Sequence, residues 1–497
     1  MSVINTETLM ASGRELLLPA TLEICLHNHA SDSVQTLELL QIFRVVPKRR
    51  IVALARWQGQ RVVVKLFFAR PRWAQHLERE VQGITAMQSV GMATATLLGH
   101  GELRDGHGGF VLLRYIEGGK NLSQCWQQAS ADDREAMLRR VLALIADCHE
   151  RGLLQKDIHL NNFMLREEEI FLLDAGELEQ FSQQPEGVDG VNSLRNLALF
   201  LAQFPVSNDE RVPALYEEYR RQRPGLGLSE DIAVFRALLR KKRSLRLRTV
   251  LKKLYRETSA NAFRRDWNHY IVYERALESA DLQRFLQAPD RYIDEGVLIK
   301  GGRTATVAKV MIDGKPYVLK RYNIKSFWHR IRRLFQPSRA WVCWRNAHML
   351  EMLGIATPKP LLMMEWRFGS LRREAYFLCE YVEGEDALHL LEKAPINSPA
   401  WSQALEQFKA LFRVLRDYGI VHGDMKATNF LLTDRGLTVL DLDGMYQESD
   451  QRRFAKASAK DLQRFAKNWE NDSERTQQVL TMLAQLQDES DYFTTGS

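Results

Sequence analysis

Cysteine is scarce in this chain of 497 residues: Cys25, Cys125, Cys148, Cys343 and Cys379 are scattered and form no CxxC pair. That excludes a disulfide-stapled secreted scaffold, offers no zinc-ligand spacing, and predicts reduced thiols in a cytosolic protein. No run of about 18 apolar residues occurs, so no membrane-spanning helix is expected. The opening "MSVINTETLMASGRELLLPA" lacks a basic stretch followed by an apolar core, so no secretion signal is expected. Long low-complexity segments are missing too. With 45% hydrophobic and 9% aromatic residues, the chain has the material for large cores.

Acidic residues are absent from two stretches. "RKKRSLRLRTVLKKLYR" (240–256) holds nine Lys or Arg, and "KRYNIKSFWHRIRRLFQPSR" (320–339) holds seven, although the net charge is only +7. In the second, Phe327, Ile331, Leu334 and Phe335 fall roughly on one helical face. Each stretch reads either as a solvated basic helix or as a surface for anionic partners such as lipid headgroups or phosphorylated glycolipid. No nucleic-acid-binding motif accompanies them, so no nucleic acid is expected.

What the chain does have is a repeat. "GLLQKDIHLNNFMLREEEIFLLDAG" contains Asp157, Asn162 and Asp174; "GIVHGDMKATNFLLTDRGLTVLDLDG" contains Asp424, Asn429 and Asp441, each 267 positions later. Lys65 in "RVVVKLFF" corresponds to Lys320 in "YVLKRY", and Gly91 to Gly354, at offsets of 255 and 263. Downstream, "SLRNLALFLAQF" (193–204) resembles "SAKDLQRFAKNW" (458–469), offset 265. A nearly constant offset over six landmarks marks a repeated domain.

Within each copy the order is a β-rich run bearing Lys, a helix stopped by glycine, a buried strand, a second helix, the Asp-x4-Asn loop, and a short hairpin delivering the last Asp. That order matches the protein kinase-like fold. Phosphoryl transfer needs a cation on the nucleotide phosphates, hard oxygen ligands for Mg²⁺, and a carboxylate beside the incoming hydroxyl. Lys320 and Lys65 suit the first task. Asn429 with Asp441, and Asn162 with Asp174, suit the second; Asp424 and Asp157 suit the third. "KGGRTATV" (300–307) suits a loop whose backbone amides, at Gly301 and Gly302, cover phosphates, and Lys426 stands where it can reach the transferring phosphoryl.

The segments "VHGDMKATNFLL…VLDLDG" and "KDIHLNNFML…LLDAG" resemble the lipopolysaccharide kinase family, relatives of the core heptose kinases of Gram-negative bacteria. "LIKGGRTATVAKVMIDGKPYVLKRY" and the residues after it are similar to the tandem members of that family. The resemblance spans roughly 40–205 and 290–470. It implies a cytosolic enzyme using ATP and Mg²⁺ to phosphorylate an inner-core sugar. The implied partner is lipopolysaccharide core or a lipid-linked oligosaccharide, with peripheral contact at the cytosolic face of the inner membrane.

Each copy departs from the pattern. The first has a Lys65–Glu80 pair, but Lys48, Arg49 and Arg50 stand where phosphate-loop glycines belong, Gln155 replaces the loop His, and His159 the loop Lys. The second has the glycines, His422 and Lys426, yet no acid lies between Ser338 and His348 where the helix Glu should be; Cys343 occupies the aligned position. Asn346, Glu351 or another group is then left to hold Lys320. Asp443 is expected to be scaffold beside Asp441.

The expected fold is α+β, two tandem kinase-like bilobal domains: an N-terminal extension at 1–35, a first domain at 36–205, a mainly helical connector at 206–289 and a second domain at 290–497. Twelve more residues separate Lys320 from Asp424 than Lys65 from Asp157, which places an insertion after the second lysine. Competing readings are a Ser/Thr protein kinase, disfavoured by the lack of an Ala-Pro-Glu segment, and a nucleotide-binding pseudokinase scaffold in envelope biogenesis.

Overall fold

The computed structural model describes residues 3–27, 34–68, 71–181, 187–258, 260–302, 304–323, 336–369 and 371–494. The chain divides into two compact units, one of residues 1–203 with 210–242, the other of 204–209 with 243–497.

In the first unit, "RIVALARW" and "QRVVVKLF" alternate buried and half-buried side chains and pair as a hairpin, Arg50↔Phe67 through Trp57↔Gln60. Six strands close into a barrel, in the order Ala20–Leu26, Val34–Val46, Arg50–Trp57, Gln60–Phe67, Gly109–Arg114 and Leu97–Leu103. Leu103 returns to pair with Ile24. Closure leaves no free edge and encloses Leu22, Ile24, Leu39, Ala53, Val64 and Phe110. The stretch expected as an extension therefore supplies the first barrel strand. It also supplies a helix, Thr6–Ser12, capped by Asn5 and tied to Asp105 through the Thr6 amide and hydroxyl, both at 2.8 Å. Below the barrel lie the helices Ala131–Glu150, Gly190–Leu201 and Val212–Gln222 and a small hairpin, Phe163–Arg166 with Glu169–Leu172.

The second unit carries an open seven-stranded sheet, ordered Asn261–Arg265, His269–Glu274, Pro360–Phe368, Leu371–Glu380, Lys315–Tyr322, Ala305–Ile312 and Val297–Lys300. Two of these strands come from the stretch expected as connector, which also holds the helices Val212–Gln222, Ile232–Lys253 and Ala280–Gln287. "HYIVYE", rich in β-branched and aromatic residues, is the strand signal within it. The basic run 240–256 is only partly solvated. Leu247, Leu251 and Leu254 enter the core, and Arg243, 2% exposed, pairs with Asp209 (2.6 and 2.8 Å) and Tyr418 (2.8 Å).

The helical half of this unit is built on aromatic rings packed edge-to-face or tilted. Phe408 lies 5.2 Å from Phe430 and 4.6 Å from Phe465 between ring centroids, and Phe465 continues to Trp469 at 5.2 Å. In the first unit Phe163 and Phe200, which correspond to Phe430 and Phe465, meet edge-to-face at 6.1 Å. The helix after the strand lysine begins at Trp73 in the first unit, eight residues past Lys65, and at Arg339 in the second, nineteen past Lys320. Nearly all the extra residues thus precede the helix. Of the basic segment expected there, residues 324–335, with Phe327, Arg330, Ile331, Arg332, Arg333, Leu334 and Phe335, lie outside the described residues.

Candidate active site

In the first unit Lys65 sits on the face of its strand turned away from the barrel core, opposite Val64 and Leu66, and its ammonium is ion-paired with Glu80, 1% exposed, from the helix Trp73–Ser89. The same nitrogen donates to the Leu173 carbonyl at 3.1 Å and stands 3.9 Å from Asp174. Of the three cations that replace the phosphate-loop glycines, Lys48 and Arg49 are exposed, and Arg50 reaches to 4.0 Å from Asp174. Burial pushes the Asp174 carboxyl up, but Lys65 and then Arg50 outweigh it and hold it below the usual carboxylate range.

The loop beneath is fixed from below. Asn162 donates to the Asp157 carbonyl at 2.7 Å, and the Asn162 carbonyl accepts from Leu173 N–H at 2.9 Å. Gln155, standing in for the loop histidine, donates its amide to the Asp174 carbonyl and accepts from Asp157 N–H at 3.3 Å. His159 lies 3.5 Å from the Asp157 carboxylate. Asn196, 4% exposed, donates to the Gln155 carbonyl at 2.8 Å and touches His149 at 3.1 Å. Burial pulls His149 down to about 4, so this network is neutral at physiological pH.

The second unit repeats this frame with different groups. Asn429 donates to the Asp424 carbonyl at 2.8 Å and to its carboxylate at 3.4 Å; the Asn429 carbonyl accepts from Leu440 N–H at 2.8 Å. In each copy the asparagine amide N–H group is used on the aspartate carbonyl, so the amide oxygen is the atom that could serve a metal. His422, fully buried, donates Nε2–H to the Leu440 carbonyl at 3.2 Å, and its Nδ1 accepts from Asp424 N–H at 3.4 Å. Burial lowers its pKa, and that bond pattern requires the neutral ring.

Asp461, on the helix Gln451–Ala466, accepts from His422 N–H at 2.8 Å and from Gly423 N–H at 3.1 Å. Gly423 is required: its φ is +85°, and a Cβ there would stand 2.8 Å from the Gly444 carbonyl oxygen. Asp461 is a positioning residue that the motif reading did not single out. The signal was available: in the aligned tails it falls on Asn196, which braces the first loop with the opposite polarity, donating to the Gln155 carbonyl where Asp461 accepts from the His422 and Gly423 amides.

Among the described residues no helix carboxylate pairs with Lys320. The lysine pairs with Asp441 at 3.3 Å. Asn346 instead donates to the Leu442 and Met445 carbonyls at 3.0 and 2.7 Å, and Glu351 pairs with His348 at 3.2 Å. Neither candidate holder of the lysine reaches it. The Cys343 thiol meets the Tyr322 hydroxyl at 3.1 Å and is pushed up to about 12 by burial, so it stays protonated.

Asp441 itself adopts φ +54° and ψ +62°, a left-handed conformation that aspartate tolerates better than most residues. Burial alone would raise its carboxyl; Lys320 brings it below the ordinary range. Its neighbour Asp443 is pushed the other way, by burial and then by the charge on Asp441, with Arg339 at 3.6 Å offsetting only part. The two carboxylates are thereby differentiated, one kept anionic and the other biased toward its proton.

Asp424 faces Lys426 at 3.0 Å and Arg464 at 4.0 Å. Gly301 and Gly302 form the turn between the strands Val297–Lys300 and Ala305–Ile312, and the Gly302 carbonyl accepts from Asn323 at 3.2 Å. The donor set fits a magnesium nucleotide. An anionic Asp441 and an Asn429 amide oxygen are hard ligands, and Mg²⁺ bound to phosphates needs only one or two from the protein. The described residues contain no cluster of three His, Cys, Asp or Glu that could hold a metal ion.

Strand lysine, Asp-x4-Asn loop and hairpin aspartate, set twice in bilobal α+β units, define a kinase, a phosphotransferase of the protein kinase-like fold. The chain belongs to the lipopolysaccharide kinase (Kdo/WaaP) family, whose sequence profile matches residues 60–181 and 283–485, more than half of its length. Among solved structures it is similar to the M. tuberculosis PknI kinase domain, with 16% identity over 41% of this chain and 95% of that one and a TM-score of 0.28. It is also similar to the BubR1 kinase domain, with 14% identity over 33% and 52% and a TM-score of 0.26. No curated protein matches the chain. Among the described residues no helix is long and apolar enough to cross a membrane.

Proposed function

We propose that this kinase uses ATP and Mg²⁺ to phosphorylate a sugar hydroxyl of the lipopolysaccharide inner core, and that the second unit performs the transfer. The observation that carries the reading is the Asp424–Asn429–Asp441 set of that unit, fixed by buried His422 and Asp461 and adjoining Lys320 and the Gly301–Gly302 turn. Asp424 orients the acceptor hydroxyl and takes its proton on a carboxylate oxygen. Lys426, 3.0 Å away, places a cation beside that carboxylate. Lys320 would place positive charge against the nucleotide phosphates, and Asn429 with Asp441 would hold the metal. The bound magnesium nucleotide supplies the phosphoryl group and spreads its developing charge.

The first unit keeps Asp157, Asn162, Asp174 and a stronger Lys65–Glu80 pair, but covers the nucleotide with side chains rather than glycine backbone. It is the regulatory or secondary partner in this reading. ATP turnover with purified core oligosaccharide, with a generic protein, and with neither is the test, together with mass spectrometry of core oligosaccharide from cells with and without the chain. Turnover that rises with protein and not with oligosaccharide would overturn it.

A further inference from the structure

The far end of the second unit's sheet displays two large aromatic rings in solvent. Trp267 is 66% exposed and Phe368 62% exposed, and they meet edge-to-face at 6.1 Å. They are held rigidly. Asp266 accepts from the Asn268 and His269 amides at 2.7 and 2.8 Å, so its charge is absorbed by the turn that presents Trp267. The neighbouring hairpin is tied on by Arg367 N–H to the Asn268 carbonyl at 2.7 Å and Gly369 N–H to the Trp267 carbonyl at 3.0 Å. Gly369, at φ +60°, lies so close that a Cβ would stand 3.0 Å from the indole.

The strands that lead to the rings carry arginines. Arg367 stacks 4.4 Å over Tyr270 and, with Arg372, neutralises buried Glu365. Arg264 and Arg265 are exposed and form no ion pair among the described residues. As successive residues of the edge strand, opposite Ile271 and Tyr270, they project on opposite faces of the sheet.

We infer that this Trp267–Phe368 tip docks on an anionic lipid surface, the rings entering the boundary between headgroups and acyl chains and Arg264 and Arg265 meeting lipid phosphates. Solvent exposure of two rings on a braced tip is unfavourable unless something covers them, and indole is favoured at that boundary. A wedge with cations on both faces complements a surface that is anionic on every side of the inserted rings. Docking there would hold the unit at the plane where a lipid-linked acceptor lies. The inference does not depend on which sugar is phosphorylated, and vesicles without saccharide test it separately from the proposed reaction.

The full chain is floated with vesicles of phosphatidylcholine alone and of phosphatidylcholine with phosphatidylglycerol. Binding is expected only to the anionic vesicles and should weaken with salt. Joint Trp267→Ala and Phe368→Ala substitution should lower partitioning by about tenfold or more, and Arg264→Gln and Arg265→Gln by about fivefold each, with melting temperature unchanged. Trp267→Phe, which keeps a ring, should still bind but lose the blue shift of tryptophan fluorescence on vesicle addition. Equal binding to neutral vesicles, or double-ring variants that float like the parent, would overturn the inference. So would loss of binding only on Arg330→Ala, Arg332→Ala and Arg333→Ala, or a protein partner lost on ring truncation while vesicle binding stands.

Discussion

The two units solve the same problem, holding the ammonium of a strand lysine, in different ways. Lys65 is paired with Glu80 from a helix and stands 3.9 Å from Asp174; among the described residues Lys320 is ion-paired with Asp441 alone, at 3.3 Å. In the first unit the lysine is positioned before anything binds, and the metal-type aspartate is left with Arg50 at 4.0 Å. In the second, the aspartate that would hold the metal also holds the lysine, so lysine and metal share one carboxylate. The loop beneath differs in the opposite sense. Gln155 over neutral Asn196 supports Asp157, whereas His422 over the Asp461 carboxylate supports Asp424. One unit has the better-seated lysine and the other the better-seated catalytic loop, so the presence of a motif does not rank two copies; the groups behind it do.

That contrast is sharpest in turnover. Asp424→Ala should cut kcat for the core acceptor by about two to four orders of magnitude while leaving ATP affinity nearly unchanged, as expected for loss of a general base. Asp157→Ala should have a smaller effect on the same reaction. Steady-state kinetics on both variants decide it, and a silent Asp157→Ala enzyme beside an intact Asp424→Ala enzyme would reverse the assignment.

Next in size is the lysine anchor. Glu80→Ala leaves Lys65 charged and buried and should destabilise the first unit by about 3 kcal/mol, at the low end for a broken buried pair because Asp174 stands close enough to respond. Calorimetry should show the first unit's transition lowered and the second unit's unmoved. Cys343→Ala, at the aligned position, should leave the Lys320–Asp441 pair intact.

Asp461→Asn removes the charge that accepts the His422 and Gly423 amides and brings the second loop to the chemistry of the first. It should cost about 1–2 kcal/mol and lower kcat more than it raises KM. A loss of stability with unchanged kcat would make Asp461 scaffold alone.

The smallest effect concerns Asp443, which has no counterpart in the first unit. Its folded pKa is raised by burial and by Asp441, so ionising it opposes folding. Asp443→Asn should stabilise the second unit slightly at neutral pH, by under about 1 kcal/mol. The gain should vanish as pH falls through the folded value toward 3.8, where the native carboxyl is protonated anyway. Melting temperatures of parent and variant against pH would show it.

Much of the site was legible in the sequence because its signals are local. The Asp-x4-Asn spacing, the run ending in Lys65 or Lys320, and glycines 301 and 302 are set by a few neighbouring residues, and the repeat supplied an internal control on the first two. The bulk lacks were legible too: few cysteines and no long apolar run. Other features depend on residues far apart in the chain. Lys320 and Asp441 are 121 positions apart, and nothing in either neighbourhood says that aspartate rather than Asn346 or Glu351 answers the lysine. Asp461 reads as one more surface acid of a helix until tertiary packing buries it under the loop. The strand Ala20–Leu26 looks like an extension until Ile24 pairs with Leu103 and closes the barrel. Residues 261–274 look like connector until His269–Glu274 pairs with Pro360–Phe368. The physical reason is common to all four: a backbone ladder or a buried charge takes whichever partner the fold brings near, and that proximity is a property of the packed chain.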